Sequence, residues 1–325
     1  MMKKVSVVMC TYNGEKYLSK QLDSILNQTY PVSELYIQDD CSSDSTIEII
    51  QEYQKKYPVI HYSVNPERKG VNDNFYSAIE KAKGDYIAIS DQDDIWLPDK
   101  IEKEMNCIGD NYLCFCFSHP VFDEEDLNYD INQKNAHLSV PNFGLMKFIV
   151  GNVVSGHTIL MSKELLRLLP HRNYRTYYDG AYATLAAAYD KIVLCSEILS
   201  FHRRLETSIT FMQEVERPKG MLRNTLSLLS SVRKKRKDLK EKVSGTYSEM
   251  YRFLSKIDCP SKDLKDSMQL AKLLSKQDVF STLRAMILCI RRRDDLFYQK
   301  DNNKLRAIVR AACYPIIHYD NFDYT

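Results

Sequence analysis

Through the first hundred residues, short apolar runs of β type alternate with stretches whose apolar positions recur every three or four residues. KVSVVMCTY, Lys4 to Tyr12, reads as a strand. It leads into EKYLSKQLDSILNQ, where Leu18, Leu22, Ile25 and Leu26 share one helical face. SELYIQDD, a helix from about Asp44 to Tyr57, IHYSVN, a helix from about Asn72 to Lys83, and DYIAISD continue the alternation. Strand and helix in repetition predict an α/β fold with a parallel sheet covered by helices and ligands at the carboxyl ends of the strands. The polar clusters TYNGE, DDCSSDS and SDQDD all fall at those ends.

After Pro98 the pattern loosens. YLCFCFSHPVF reads as a strand and DEEDLNYDINQKNAH as a polar loop. A helix from about Phe143 to Val150, a strand HTILMS and a helix KELLRLL follow. YYDGAYATLAAAY reads as a helix with Asp179 in its first turn, where the helix dipole favours a carboxylate. KIVLCSEILSFHRR reads as two further short strands. From Pro218 onward the pattern is mostly helical, in RNTLSLLSSVRKKRKDLKEKV, KDLKDSMQLAKLLSK, VFSTLRAMILCIRRR and NKLRAIVRAACYPII. The third of these carries Val279, Phe280, Leu283, Met286, Ile287 and Ile290 on one side. The expected organisation is a domain over 1–216, with a nucleotide-binding part at about 1–97 and an acceptor part at about 98–216, and a helical region over 217–325.

Charge sharpens that division. The net formal charge is only +2. Residues 217–325, however, hold 24 Lys and Arg against 12 Asp and Glu, and residues 1–216 hold 21 against 31, so the two parts carry +12 and −10. The acidic part is no nucleic-acid binder by charge, whereas the basic part suits phosphates or an anionic membrane. The nine cysteines are scattered, with no CxxC pair and no zinc-ligand spacing, and read as cytosolic thiols. The start MMKKVSVVMCTYNG turns polar too early for a signal peptide, and no apolar run approaches the ~18 residues of a membrane span. The expectation is a cytoplasmic protein, with peripheral contact to the inner face of the membrane open to the basic region.

The candidate chemistry lies in ISDQDDIWLPDKIE. Asp91 and Asp93 are two apart, so at a strand end both carboxylates can point the same way and serve as hard oxygen ligands for Mg2+ or Mn2+. The same residues read equally as a solvated loop leading into a helix near Pro98. In QDDCSSDST, Asp44 is a helix cap, while Asp39 and Asp40 at the strand tip can accept hydrogen bonds from a nucleobase imide or a ribose hydroxyl. TYNGE sets an aromatic ring beside backbone groups, or is simply a glycine turn. Without GxGxxG or a Walker sequence, this first loop is neither a dinucleotide fingerprint nor a P-loop.

Taken together, VSVVMCTYNGEKYLSKQLDSILNQTYP, IQDDCSSDST, GVNDNF, AKGDYIAISDQDDIWLPDKIE, GHTILMSKELL and YDGAYATLAAAYDKIVLCSEILSFHRR resemble the family-2 glycosyltransferases of the GT-A fold. The DQDDIW form is similar to the capsular-polysaccharide and O-antigen, rhamnosyltransferase-like members. The resemblance runs from about Lys4 to Thr210. It implies a Rossmann-like, mixed but mainly parallel sheet flanked by helices. It also implies an inverting, metal-dependent transfer from a UDP- or dTDP-sugar, dTDP-rhamnose among them, to a cell-surface or capsular glycan that is lipid-linked. By the resemblance, Thr11, Tyr12 and Asn13 line the base pocket, Asp39 or Asp40 meets the base, and Asn74, Asp91 and Gln92 face the donor. Asp91 and Asp93 hold Mn2+ or Mg2+, and Asp94, Trp96, Gly156, His157 and Arg203 border the sugar and acceptor. Asp179 matches the family's catalytic base.

One departure stands out. Where similar enzymes carry a histidine after the last strand, in YRxH, this chain reads FHRRLE and has Leu205, so that His202 fits only with a slipped register and Arg203 or Arg204 is left to face the phosphates. Two rival readings remain. A sugar nucleotidyltransferase would need a Gly- and Arg/Lys-rich phosphate loop that CTYNGEKY lacks. A non-catalytic membrane-surface scaffold would have no use for Asp93 and Asp179 together. The basic region is open to three roles: contact with an anionic membrane, packing on the catalytic domain, or oligomerisation.

Overall fold

A computed structural model describes residues 2–122, 143–169, 177–204, 239–259, 261–297 and 303–318, together with Leu127 and Lys237. Leu205, the polar loop from Asp123, the 216/217 boundary and most of the helix expected over 223–243 lie outside the described residues.

The alternation holds through the first hundred residues: β1 (Val5–Thr11), α1 (Leu18–Leu26), β2 (Val32–Asp39), α2 (Thr46–Lys56), β3 (Ile60–Val64), α3 (Val71–Ile79) and β4 (Tyr86–Ser90). Then come β5 (Ile95–Trp96), α4 (Lys100–Ile108), β6 (Leu113–Val121), α5 (Leu145–Val150), a 3-10 turn (Gly156–Thr158), β7 (Ile159–Ser162), α6 (Lys163–Leu168), α7 (Tyr178–Ala188) and β8 (Ile192–Arg203). The strands form one sheet in the order β3-β2-β1-β4-β7-β6-β8-β5. β1 lies parallel to β2 and β4, and β2 to β3, while β7 enters antiparallel between β4 and β6. The expected mixed, mainly parallel sheet is therefore present.

Period-2 alternation assigns each side chain to a face of this sheet. Val5, Val7, Met9, Ala88, Cys114, Cys116 and Leu160 face one side, where they pack with Leu18, Leu22 and Ile25 of α1 and Ile101 and Ile108 of α4. Val8, Ile87, Ile89, Leu113, Phe115, Ile159 and Met161 face the other, with α3, α5 and α7. The helices α8 (Lys240–Leu254), α9 (Leu264–Lys276), α10 (Val279–Arg291), α11 (Arg293–Leu296) and α12 (Lys304–Ile317) add to that second layer. Ser267 Oγ lies 3.1 Å from Met146 Sδ of α5, and Tyr314 OH donates to the Val150 carbonyl at 3.2 Å.

Two elements differ from the expectation. KIVLCSEILSFHRR forms one strand rather than two, because β8 runs parallel to β6 along its whole length and absorbs the irregularity as register shifts opposite Cys116, Phe117 and Ser118. Residues Ile95 and Trp96, expected in a loop leading into a helix near Pro98, pair antiparallel with Phe201 and Ser200 and close the sheet edge.

Candidate active site

The first strand tips are locked to each other by short side chains. Thr11 Oγ1 donates to Asp39 Oδ1 at 2.7 Å, and Ser42 donates to the same carboxylate through its amide at 2.8 Å and its hydroxyl at 2.6 Å. Asp40 accepts from Asn65 Nδ2 and from the amides of Lys69 and Gly70, each at 2.8 Å. Both carboxylates are buried, and their bonds shape the loops around the tip. Asn13 sits at φ +49, a left-handed conformation that asparagine tolerates, and its Oδ1 accepts from the Ser43 amide at 2.9 Å. The Gln92 amide clasps the Tyr12 backbone from both sides, accepting from its N–H at 2.8 Å and donating to its carbonyl at 3.1 Å. Over the Tyr12 ring, 3.9 Å from its centroid, lies the Arg68 guanidinium, which sequence reasoning passed over.

At the end of β4 the chain leaves the strand at Ser90 and re-enters the sheet at Ile95. Strand alternation therefore stops governing the side chains, and the carboxylate brought near Asp91 is that of Asp94, three residues on. Asp91 and Asp94 join His157, from the 3-10 turn, and His202, from β8, in a cluster whose candidate ligand atoms all lie within 4.8 Å of one another. His202 Nδ1 is 3.0 Å from Asp94 Oδ1, and His157 Nδ1 is 3.7 Å from Asp91 Oδ2. The two imidazoles stack at 4.2 Å between centroids and 7° between planes. Where the sequence pattern paired Asp91 with Asp93, the fold assembles Asp91, Asp94, His157 and His202, without Asp93.

Electrostatics in the cluster follow from crowded carboxylates under partial burial. Burial, reinforced by Asp94 and Asp93, raises the Asp91 carboxyl well above the usual range. Burial and Asp94 push Asp93 up to about 6. Asp94 is lowered despite its burial, because His157 and His202 favour its charged form. Burial lowers His157 to about 3, which keeps it neutral. Its Nε2 lies 3.0 Å from Ser118 Oγ, so with Nε2–H donating to that hydroxyl the Nδ1 lone pair remains on the Asp91 side, as a metal ligand requires. His202 is raised because the bond to Asp94 outweighs the effect of its burial.

Asp179 stands beside this cluster in the first turn of α7. Its carboxylate accepts from its neighbour's amide, Gly180 N, at 2.5 Å and also from the Gly156 amide, one residue before His157. Burial nevertheless pushes it up to about 6. Two residues position this helix start. The Tyr178 amide donates to Asn72 Oδ1 at 2.8 Å, and the Tyr178 ring stacks on Phe75 at 4.4 Å. The Tyr178 hydroxyl presses against Gly156 so closely that a Cβ there would meet it at 1.9 Å.

Other expected site residues lie elsewhere. Trp96, expected beside the sugar, is turned into the core, because pairing of β5 with β8 directs it inward, with Lys100 Nζ 4.7 Å from its ring. Asn74 is buried, donating to the Gln38 carbonyl at 3.1 Å and accepting from Asn65 at 2.8 Å. The Arg203 guanidinium lies over the Tyr17 ring at 4.6 Å, and its amide donates to Asp94 Oδ1 at 3.3 Å. His202, set aside in the sequence for its register, enters the site through the bulged run of β8. The only signal that could have found it is its place directly before Arg203 at the end of a strand.

Comparison with known proteins supplies the context. The model of "Glycosyl transferase family 2" matches residues 6–169. A putative teichuronic acid biosynthesis glycosyltransferase, TuaG of Bacillus subtilis, is 37% identical over 114 residues, 35% of this chain and 45% of that protein. The dTDP-rhamnosyl transferase RfbG of Shigella flexneri is 41% identical over 33% of this chain and 39% of its own length. A UDP-Glc:alpha-D-GlcNAc-diphosphoundecaprenol beta-1,3-glucosyltransferase, WfgD of Escherichia coli, is 31% identical over 50% of this chain and 54% of its own length. The chain thus spans about half or less of these relatives. Among solved structures, S. aureus TarS 1-349 in complex with UDP-GlcNAc superposes with a TM-score of 0.57 over 98% of this chain and 89% of that one, at 16% identity, a likeness of fold. The family match covers the strand tips, the acidic turn and the 156–158 turn, and on that match the chain belongs to glycosyl transferase family 2.

Proposed function

We propose that the chain transfers a sugar from a nucleoside diphosphate donor to a hydroxyl of a growing bacterial glycan, with inversion at the anomeric carbon and with a divalent cation held by Asp91, Asp94, His157 and His202. The observation that carries the reading is the position of Asp179 beside that four-residue cluster, joined to it through Gly156. The donor set fits a cation. Asp94 Oδ2 is buried and has no hydrogen-bond partner among the described residues, and His157 is held neutral. Two imidazoles with two carboxylates suit Mn2+ better than Mg2+, which prefers an all-oxygen shell. When bound, the cation offsets negative charge on the leaving diphosphate.

The chain's own groups account for the remaining steps. The acceptor oxygen bonds to the anomeric carbon as the bond from that carbon to the diphosphate oxygen breaks, and the hydroxyl proton passes to Asp179 Oδ. A base with a value near 6 is ionised at neutral pH and still more basic than an ordinary carboxylate. Attack from the face opposite the leaving group inverts the centre. Tyr12 and the Asp39–Asp40 tip form the nucleoside side of the site, and Thr11 and Asn13 hold that loop in shape.

Support for the donor and acceptor classes comes from the relatives, one named for a dTDP-rhamnosyl donor and one for UDP-Glc and a diphosphoundecaprenol acceptor. UDP- and dTDP-sugars are therefore the donors to try first, and a lipid-linked glycan is the acceptor. The test is a thermal-shift panel of nucleotide sugars with Mn2+, Mg2+ or EDTA. One UDP- or dTDP-sugar should stabilise the protein, more so with Mn2+ than with Mg2+. In His202→Ala and Asp94→Asn the Mn2+ increment should vanish while metal-free nucleotide binding persists. A panel in which Mn2+ changes nothing, or in which both variants keep its full increment, would overturn the metal assignment.

A further inference from the structure

The helices α10 and α12 pack against each other and leave an apolar face that no described residue covers. On α10, Val279, Phe280, Leu283 and Ile287 are 72%, 81%, 50% and 67% exposed, and on α12, Leu305 and Val309 are 70% and 52% exposed. Phe280, Leu283 and Ile287 follow at three- and four-residue spacing, so they form one stripe along α10. The helix is anchored from behind by Ala285, Leu288 and Cys289, all buried in the main core. Both helices begin with firm side-chain caps. Asp278 accepts from the Ser281 amide at 2.8 Å, and Asn303 accepts from the Leu305 amide at 2.9 Å. The stripe is thus held outward on a rigid support.

Exposed cations lie among these apolar residues: Arg284 on α10, and Lys304 and Arg306 at the start of α12, while Arg291 beside them is paired with Asp266 at 2.9 Å. Between Val279 and His318 the sequence holds eight Lys and Arg against three Asp and Glu, although Arg292 and Arg293 are held in ion pairs by Asp263, Asp266, Asp295 and Asp294. Such a face fits only certain partners. Across a two-fold interface the patch would meet its own copy and set like charges against each other. An anionic lipid surface accepts both parts, burying Phe280 and Leu283 among acyl chains while phosphates meet Arg284 and Lys304. The opposite side of α12 carries Tyr314, whose hydroxyl reaches Val150 at the end of α5, six residues before Gly156.

We propose that the α10–α12 face is a peripheral docking surface for anionic phospholipid, seating the protein on a membrane. The inference rests on the exposed face and its charge; the glycosyltransferase reading adds only a reason, since a lipid-linked acceptor lies in that plane. Binding should require both the apolar stripe and the cations, and should weaken with salt.

The 325-residue chain is sedimented with vesicles of phosphatidylcholine alone or mixed equally with phosphatidylglycerol. Wild type should pellet with the mixed vesicles and stay in solution with the neutral ones. The triple change Phe280→Ser, Leu283→Ser and Ile287→Ser should lower the partition coefficient at least ~10-fold. Arg284→Gln with Lys304→Gln should lower it by about 5-fold per charge. All of these side chains are exposed, so unchanged circular dichroism and unchanged nucleotide-sugar thermal shifts keep the comparison free of misfolding and separate failure here from failure of the catalytic reading. Hydrogen exchange over 279–291 should slow on mixed vesicles only. Wild type that ignores mixed vesicles overturns the proposal. So does a triple variant that binds as well as wild type, or one that instead turns a dimer into a monomer on light scattering, which would assign the face to a second copy. Protection of 279–291 in vesicle-free solution that is lost when 217–236 is deleted would assign the face to that segment of the chain and overturn it as well.

Discussion

A carboxylate in the first turn of a helix ordinarily ionises more easily than in water, because helix amides stabilise its charge. Asp179 goes the other way. It receives the Gly180 and Gly156 amides, yet burial outweighs them and raises it to about 6 from an ordinary value of 3.8. In the proposed role of base it must be ionised, so kcat/KM should fall as pH drops below about 6 and level off above it. Stability carries the opposite sign. A raised folded-state value means the native protein holds the proton more tightly than the unfolded chain, so the group favours folding in acid and costs stability as pH rises through 6. Asp179→Asn should therefore abolish transfer while raising metal-free thermal stability at pH 8. The gain should be on the order of 1–2 kcal/mol, after discounting for partial solvent contact, and it should shrink toward nothing near pH 4. A variant that keeps transfer activity, or whose stability gain is the same at pH 4 and pH 8, would remove Asp179 from the role.

At the scale of elements, the site depends on how closely the turn Gly156–Thr158 approaches α7. The Tyr178 ring, stacked on Phe75, brings its hydroxyl to where a Cβ at residue 156 would lie, at 1.9 Å, with the ring carbon Cζ at 2.7 Å. Any side chain at 156 must push α7 or the turn aside, and with it Asp179 or His157. Gly156→Ala should cost about 1–3 kcal/mol of stability and at least ~100-fold in kcat. Tyr178→Phe keeps most of the packing and should cost far less; equal losses in the two variants would show that the hydroxyl contact, not the close approach, matters. This approach was invisible in the sequence, as was the pairing of Asp94 with His202. Local period and turn chemistry made the strands β1 to β4, their polar tips and the start of α7 legible, because each is decided by neighbours in sequence. Asp94, His157 and His202 meet only after β5 pairs with β8 and β8 slips its register against β6 at Cys116 to Ser118, which no local pattern encodes. Trp96 is the converse case: a lone aromatic in an acidic motif looks functional until the same β5 pairing turns it into the core.

For the whole molecule, the described helices beyond the recognisable motifs are part of one core with the sheet rather than an appendage. Val243, Tyr247, Leu270, Leu274, Leu288 and Tyr314 belong to the same buried cluster as Val8, Phe75, Leu113 and Tyr182. The tie is most direct at α5, which α9 covers through Ser267 and Met146 and α12 grips through Tyr314 and Val150. Because α5 leads straight into the Gly151–Ser155 loop and the turn bearing His157, loosening α9 should reach the site. Leu270 is fully buried there, so Leu270→Ala should cost about 2–5 kcal/mol. Loss of far-UV ellipticity and loss of Mn2+-dependent nucleotide-sugar binding should then move down in temperature together, in a single transition. If the variant instead unfolded in two steps, with binding retained after the first, the helical region would be a separate unit and the continuity of the core would not extend to its energetics. A common transition would mean that a membrane-docked α10–α12 face sits on the same cooperative body as the Asp179 site, so that docking fixes the orientation of that site relative to the bilayer.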